Sequence, residues 1–239
     1  MVNVLCTLGY SPPVVTEFID WLYKKNIRVK KVYVLGTQDE KVKLYYNVVS
    51  FALKDEFKID TEYIELPFEE PVKEEDFIIT VEKILEKVKF KGIFNIAGGR
   101  KNTVLAAYLA AMITGSKVYH IIHKDTKSFN LKLESVRSDL EIAGKNYEEF
   151  KNRLIVIRDI LFPDPEEFEV IEIPVIPLTY SLISIIKKAF TDATLEKAEV
   201  ELNSIRDALK FLDYIQVIRS NKVIVTDKGE KILRILELL

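Results

Sequence analysis

Cysteine occurs once in these 239 residues, at Cys6. A single thiol excludes an intrachain disulfide and any zinc site built from a cysteine cluster, and it fits a reducing compartment. Cys6 stands in an apolar run, where a free thiol packs rather than reacts. Histidine occurs only as His120 and His123. On a strand their rings leave opposite faces, so they are no metal pair. His120 is assigned to the core, and His123, at the strand's end, to the ligand side. No carboxylate cluster at metal-ligand spacing stands near the loops discussed below, so neither a protein-held metal nor another cofactor is expected. Glutamine is confined to Gln38 and Gln216 while Lys and Glu abound, a bias seen in heat-adapted proteins. Neither sign of charge dominates: 35 Lys and Arg face 37 Asp and Glu, for a net charge of −2. No global basic field draws the chain to nucleic acid, and any basic site must be local. The longest apolar stretch, 104–113, is a core helix rather than a membrane span, so no membrane partner is expected. Met1-Val2-Asn3 leads straight into a strand-like run without a secretory leader, which makes the expected location cytoplasmic.

What is present is a soluble globular composition, 48% apolar and 30% charged, in a length that holds one large domain or a medium and a small one. Val2 to Leu8 reads as a buried strand. A turn, Gly9-Tyr10-Ser11-Pro12-Pro13, then feeds a helix in which Pro13 is an early residue. Further strands are predicted over 32–36, 62–66, 93–97 and 118–122, with helices over 40–56, 75–88 and 103–113 between them. Strand and helix alternate with short connections, which predicts an α/β, Rossmann-like, doubly wound and mainly parallel sheet. Such sheets bind ligands beyond the carboxyl ends of their strands. The corners at 9–13, 36–38, 98–102 and 120–124 therefore share one edge. Residues 124–165 break the rhythm and read as an insertion or sheet extension over that edge, with 147–161 able to form a helix. A strand over 168–176 closes the first domain, 1–176.

The richest corner is Gly98-Gly99-Arg100-Lys101-Asn102, between a strand and an Ala-rich helix. A glycine pair lets the backbone turn tightly and approach a ligand. The next helix offers free N–H groups and a positive dipole end, and Arg100 and Lys101 add two fixed cations. This is a phosphate-binding corner, or equally a plain βα turn followed by solvated charges, because neither G-x-x-x-x-G-K-[ST] nor G-x-G-x-x-G is present. Ser11 can hold a ribose or phosphate oxygen, or can cap the helix that follows it. Thr37 is a small polar residue at the end of the second strand.

From 177 the pattern changes to helices over 180–190, 194–202 and 203–214, a hairpin over 215–226 and a last helix over 227–238. That is the order of a winged helix-turn-helix. The order invites DNA as a partner, but ten Lys and Arg stand against nine Asp and Glu from Val175 onward, where DNA-binding modules normally show a basic face. Ser204, Arg206, Lys210, Arg219 and Lys222 are the residues that could still meet DNA, with dimerisation or covering of a ligand as the equally weighted rival use.

With both corners in hand, the chain resembles the CRISPR-associated Rossmann-fold (CARF) family. LGYSPPVVTE at 8–17 is similar to that family's LGTSP-x-VVTE opening, with Tyr10 where Thr is frequent. IAGGRKNT at 96–103 resembles its second motif. The match by motif covers roughly 1–125, and the trailing winged helix is similar to archaeal ring nucleases and to regulators of the family. The resemblance implies a homodimer with a cyclic oligoadenylate, often the tetra-adenylate, across its two-fold axis. The two motifs put Gly9, Tyr10, Ser11, Pro12, Gly98, Gly99, Arg100, Lys101 and Asn102 at the ligand site, and position at a strand's carboxyl end adds Thr37 and His123 to the expected ligand-binding residues. As a ring nuclease the chain would cut the ring without metal, Ser11 positioning ribose or phosphate and Lys101 stabilising charge, and so end a signal of type III CRISPR antiviral defence. The alternative is a transcription regulator gated by the same ligand.

Overall fold

The apolar run at the start of the chain forms β1 (Val2–Thr7), whose side chains serve both faces of a sheet. Val4 and Cys6 enter one core cluster, whereas Leu5, also fully buried, alternates to the other side. The computed structural model describes residues 1–88, 91–175, 215–218, 222–227, 230, 233 and 234. The chain divides into two compact units, Met1–Ile176 and Pro177–Leu239.

In the first unit β1 is followed by α1 (Pro13–Lys24), β2 (Val29–Thr37), α2 (Glu40–Phe57), β3 (Thr61–Leu66), α3 (Glu74–Lys87), β4 (Ile93–Asn95), α4 (Lys101–Thr114) and β5 (Lys117–His123). Three helices come next, α5 (Thr126–Ser135), α6 (Arg137–Ala143) and α7 (Tyr147–Leu161), and then β6 (Phe168–Ile173). The six strands lie in the order β3-β2-β1-β4-β5-β6. All neighbours are parallel except β5 and β6, so the sheet is mainly parallel, as expected. The order reverses between β1 and β4. The chain builds outward from β1 through β2 to β3, then crosses over and builds the other way. A crevice opens at such a switch point, beyond the carboxyl ends of the strands. Both glycine corners follow those two strands.

One face of the sheet carries the main core. Phe18, Ile19 and Leu22 of α1, Tyr45, Val49 and Leu53 of α2, and Phe150, Ile157 and Leu161 of α7 are buried there against Val4, Cys6, Val32 and Val34. Burial pushes the Cys6 thiol far up, which suits a packing residue and not a nucleophile. α3 and α4 pack on each other and cover the opposite face, where Ala106, Ala107, Ala110 and Ala111 let α4 lie close. The segment 124–165, expected over the ligand edge, divides its roles. α7 is a core helix, pinned to α2 by Tyr147 and Lys151 on Asp55 and by Arg158 on Glu56. Only α5 and the start of α6 reach the edge.

Element limits shift slightly from the sequence reading. β2 starts at Val29, β4 stops at Asn95, α4 begins at Lys101 and β6 ends at Ile173. In the second unit β7 (Ile215–Ile218) and β8 (Lys222–Val225) pair antiparallel, where a hairpin is predicted. The helices predicted over 180–214 lie outside the described residues, as do Ser204, Arg206, Lys210 and Arg219. Lys222 opens β8. Among the described residues no helix is long and apolar enough to cross a membrane.

Candidate functional site

Two buried side chains tie the corners together. Thr7, the last residue of β1, donates its hydroxyl to the Gly98 carbonyl at 2.6 Å. Asn95, the last residue of β4, donates Nδ2 to the Val14 carbonyl at 2.7 Å, and its Oδ1 accepts from the Ala97 N–H at 3.1 Å. Each strand's end thus fixes the chain that follows the other strand, Thr7 the glycine turn after β4 and Asn95 the first turn of α1. The fit requires glycine. A Cβ on Gly98 would lie 2.5 Å from the Thr7 carbonyl oxygen. Gly99 takes φ +87°, in the left-handed region that side chains disfavour.

Beyond the corners lies a cleft of about 510 Å³. Its floor is the two glycine turns with Ser11 and the start of α4. Arg100 precedes α4 without capping it by its side chain, so the first-turn N–H groups stay available to an anion. Arg100 pairs with Glu70 and places its guanidinium 5.9 Å from the Tyr10 ring centre. Tyr10 in turn donates to Asp39 Oδ2 at 2.5 Å, while Asp39 Oδ1 caps α2 by accepting from the N–H groups of Lys41 and Val42 at 2.8 and 3.2 Å. The Asp39 hydrogen bond, helped by desolvation, raises the Tyr10 phenol above its ordinary range. Desolvation pushes Asp39 up, but the donors from Tyr10 and the α2 backbone outweigh it and hold the carboxyl low. The far wall comes from α5 and α6, where Glu134 and Arg137 form an ion pair. One buried group on the cleft is unpaired among the described residues: Thr103 Oγ1, in the first turn of α4.

Of the residues singled out in the sequence, Gly9, Tyr10, Ser11, Thr37, Gly98, Gly99 and Arg100 line this cleft. Pro12 is buried at the N-cap of α1, and that helix has no side-chain cap. Ser11 is therefore not the capping residue that its position also allowed. Lys101 is exposed on the first residue of α4, and Asn102 donates to the Pro71 carbonyl at 2.8 Å; neither lines the cleft of its own chain.

His123 does not line this cleft. Its ring stacks on Phe129 at 3.5 Å between centres and sets Nε2 3.3 Å from Oε1 of the fully buried Glu17. Burial raises the Glu17 carboxyl, and the His123 hydrogen bond opposes that rise. The last side chain of β5 is thus used to fasten α1 and α5. His120 is half-buried rather than fully in the core.

Sequence reasoning missed Asp39, Thr103, Glu134 and Arg137. Asp39 carried a signal, an Asp just ahead of a helix at a strand's carboxyl end. The pair on α5 and α6 carried none, because its arrival depends on how those helices pack.

Residues 11–207 match the profile of a family described as CRISPR-associated protein NE0113. The chain is 33% identical over 160 residues to the CRISPR system ring nuclease SSO2081 of Saccharolobus solfataricus, covering 64% of this chain and 85% of that protein. Among solved structures it is similar to Can2 from Sulfobacillus thermosulfidooxidans in complex with cyclic tetra-adenylate, at TM-score 0.36 and 13% identity, over 96% of this chain and 62% of that one. It is also similar to Enterococcus italicus Csm6 bound to cyclic hexa-2'-fluoro-hexa-dAMP, at TM-score 0.48 and 10% identity, over 89% of this chain and 53% of that one. The chain thus spans less than two thirds of either solved neighbour.

Proposed function

The chain belongs to the CRISPR-associated protein NE0113 family, and we propose that it binds a cyclic oligoadenylate, specifically cyclic tetra-adenylate, and opens it as a ring nuclease. The observation that carries this is the apposition of both glycine corners at the switch point, Gly9 against Gly99, with Ser11, Arg100 and the start of α4 around one cleft. The ring-nuclease name of the 33% identical relative supports the same chemistry.

In the proposed reaction a ribose 2′-hydroxyl attacks the adjacent phosphorus and the bond from phosphorus to the 5′-oxygen breaks. The 5′-oxygen takes up a proton, leaving a linear product with a cyclic phosphate end. The nucleophile belongs to the substrate, so the residues need only align it and stabilise charge. Ser11 orients ribose or phosphate. Lys101 and the N–H groups of α4 face the charge that grows on phosphorus; such pre-aimed donors are worth roughly 3–4 kcal/mol. No protein-held metal enters this scheme.

Two copies of the chain are proposed to share one ring. Lys101 is exposed outside its own cleft, and Leu105, one turn later on the same face of α4, is 57% exposed. A two-fold contact along this face would bring Lys101 of each copy to a ring on the axis. A second use, ligand-gated DNA binding, is favoured by the β7–β8 pair at the place of the predicted wing.

The test is incubation of labelled cyclic tetra-adenylate in EDTA with the wild type, Ser11→Ala and Lys101→Ala. Linear product from the wild type and its loss in both variants is the expected result. Tight binding without any product would remove the enzyme and leave the regulator. A gel shift on DNA at low salt, with and without ligand, examines the second use.

A further inference from the structure

Arg137 is the second arginine of the cleft, and the reaction proposed above does not use it. It opens α6 just after α5, and its guanidinium is held on two sides. From behind, Nη1 donates to the hydroxyl of Tyr45 at 3.2 Å, and Tyr45 is fully buried. In front, Nε donates to one carboxylate oxygen of Glu134 at 2.7 Å while Nη2 donates to the other. This is the two-pronged fork with which a guanidinium grips either a carboxylate or a phosphate. The partners differ in freedom. The Arg137 side chain is 25% exposed and that of Glu134 is 59% exposed. The arginine is anchored to the core, whereas the glutamate is a largely solvated side chain in the last turn of α5. The other arginine of the cleft lacks this asymmetry, because Arg100 and Glu70 are 53% and 60% exposed.

We propose that Arg137 receives a phosphate of the bound ligand, and that Glu134 holds that place until the ligand arrives. This holds if the cleft takes a phosphodiester ligand, as proposed above. A diester phosphate offers the fork two acceptor oxygens and one negative charge, as the carboxylate does. The exchange is therefore charge for charge. Glu134 leaves into water, and Arg137 keeps Tyr45 behind it throughout. The pair also filters ligands. A neutral nucleoside cannot replace the carboxylate's charge, so it leaves the fork closed. Apparent affinity falls by the fraction of molecules in which Glu134 occupies the fork.

The experiment is a binding titration of the full chain as wild type, Glu134→Gln and Arg137→Gln. Labelled cyclic tetra-adenylate is one probe. Inorganic pyrophosphate is the other, as an anion independent of ring and base. Glu134→Gln should tighten both probes about five-fold by freeing the fork. Arg137→Gln should weaken both about ten-fold, with a shallower dependence on salt. Melting curves accompany each variant. Should Arg137→Gln fail to fold, Arg137→Lys keeps the charge, loses the fork, and should weaken binding in the same direction.

Opposite shifts in affinity are what a merely structural clasp between α5 and α6 would not produce. If both substitutions lower the melting temperature and leave affinity unchanged, or lower affinity alike, the place-holding role is overturned while the ligand proposal stands. If pyrophosphate shows the opposite shifts but the wild type ignores cyclic tetra-adenylate, the anion site stands and the ligand proposal falls. A wild type that binds neither probe overturns both.

Discussion

Gly9 and Gly99 touch backbone to backbone: a Cβ on Gly9 would lie 3.1 Å from both the nitrogen and the Cα of Gly99. The turn after β1 and the turn after β4 meet without side chains between them. The cleft floor is therefore made of main chain, and a ligand above it would meet N–H groups and the positive end of α4 rather than methyl groups.

The tightest point of this contact is Gly98. An alanine there would place its Cβ 2.5 Å from the Thr7 carbonyl oxygen and 2.9 Å from Val14 Cγ2. Backbone cannot give way cheaply, so Gly98→Ala should cost about 1–3 kcal/mol of unfolding free energy, as overpacking does. Urea denaturation followed by circular dichroism measures it. A shift below 0.5 kcal/mol would show that the two turns are loosely held.

Thr103 separates folding from binding. Its buried hydroxyl has no partner among the described residues, and its residue lines the cleft. Replacing an unsatisfied buried hydroxyl by a methyl group of the same shape removes a desolvation cost, so Thr103→Val should leave stability unchanged or raise it by about 1 kcal/mol. Thermal melting reads this directly. A clear loss of stability would reveal a hydrogen bond that the hydroxyl makes in solution.

Asp39 performs two tasks with two oxygens. Oδ1 caps α2 and Oδ2 holds the Tyr10 hydroxyl. Asp39→Ala should cost about 1 kcal/mol through the lost cap and release the Tyr10 ring at the cleft mouth. Because the folded carboxyl is held low, its stabilising share is present above the unfolded value and lost as pH falls through the folded value. The variant should therefore approach the wild type in stability in acid. Paired denaturation curves at neutral and acid pH decide it.

Glu17 should behave in the opposite sense. Burial raises its carboxyl above the ordinary 4.5, with the His123 hydrogen bond opposing. The folded state then binds a proton that the unfolded state has released. This share of stability is full below the unfolded value and is lost as pH rises toward the folded one. Glu17→Gln, which cannot ionise, should gain on the wild type as pH rises through that window. The difference in melting temperature between the two proteins, taken from acid to neutral pH, should grow more positive; a flat difference would mean that burial does not hold the proton.

Much of the first unit was legible in the sequence for a local reason. Period-two apolar runs and helical stripes are set by neighbours a few residues apart, and so β1 to β5 and α1 to α4 emerged within a few residues of their limits. The helix over 147–161 was legible likewise. The contacts of His123 are not legible, because alternation gives a side chain's face but not its partner: the buried Glu17 comes from α1 and Phe129 from α5. Glu134 and Arg137 were invisible because salt-bridged residues in a charged segment look like any solvated helix surface.

The sequence by itself determined that two glycine-bearing corners would stand at strand ends, because a left-handed turn and a close backbone approach are demands that only glycine meets cheaply. It also determined that the first 125 residues alternate strand and helix. Only the tertiary structure decided that β1 and β4 are neighbours, which puts Thr7 on Gly98 across 91 residues of chain. The strand order depends on which way the chain crosses over after β3, a choice that no local pattern records. That crossover creates the crevice, and the packing of α5 and α6 beside it supplies the far wall on which Arg137 waits.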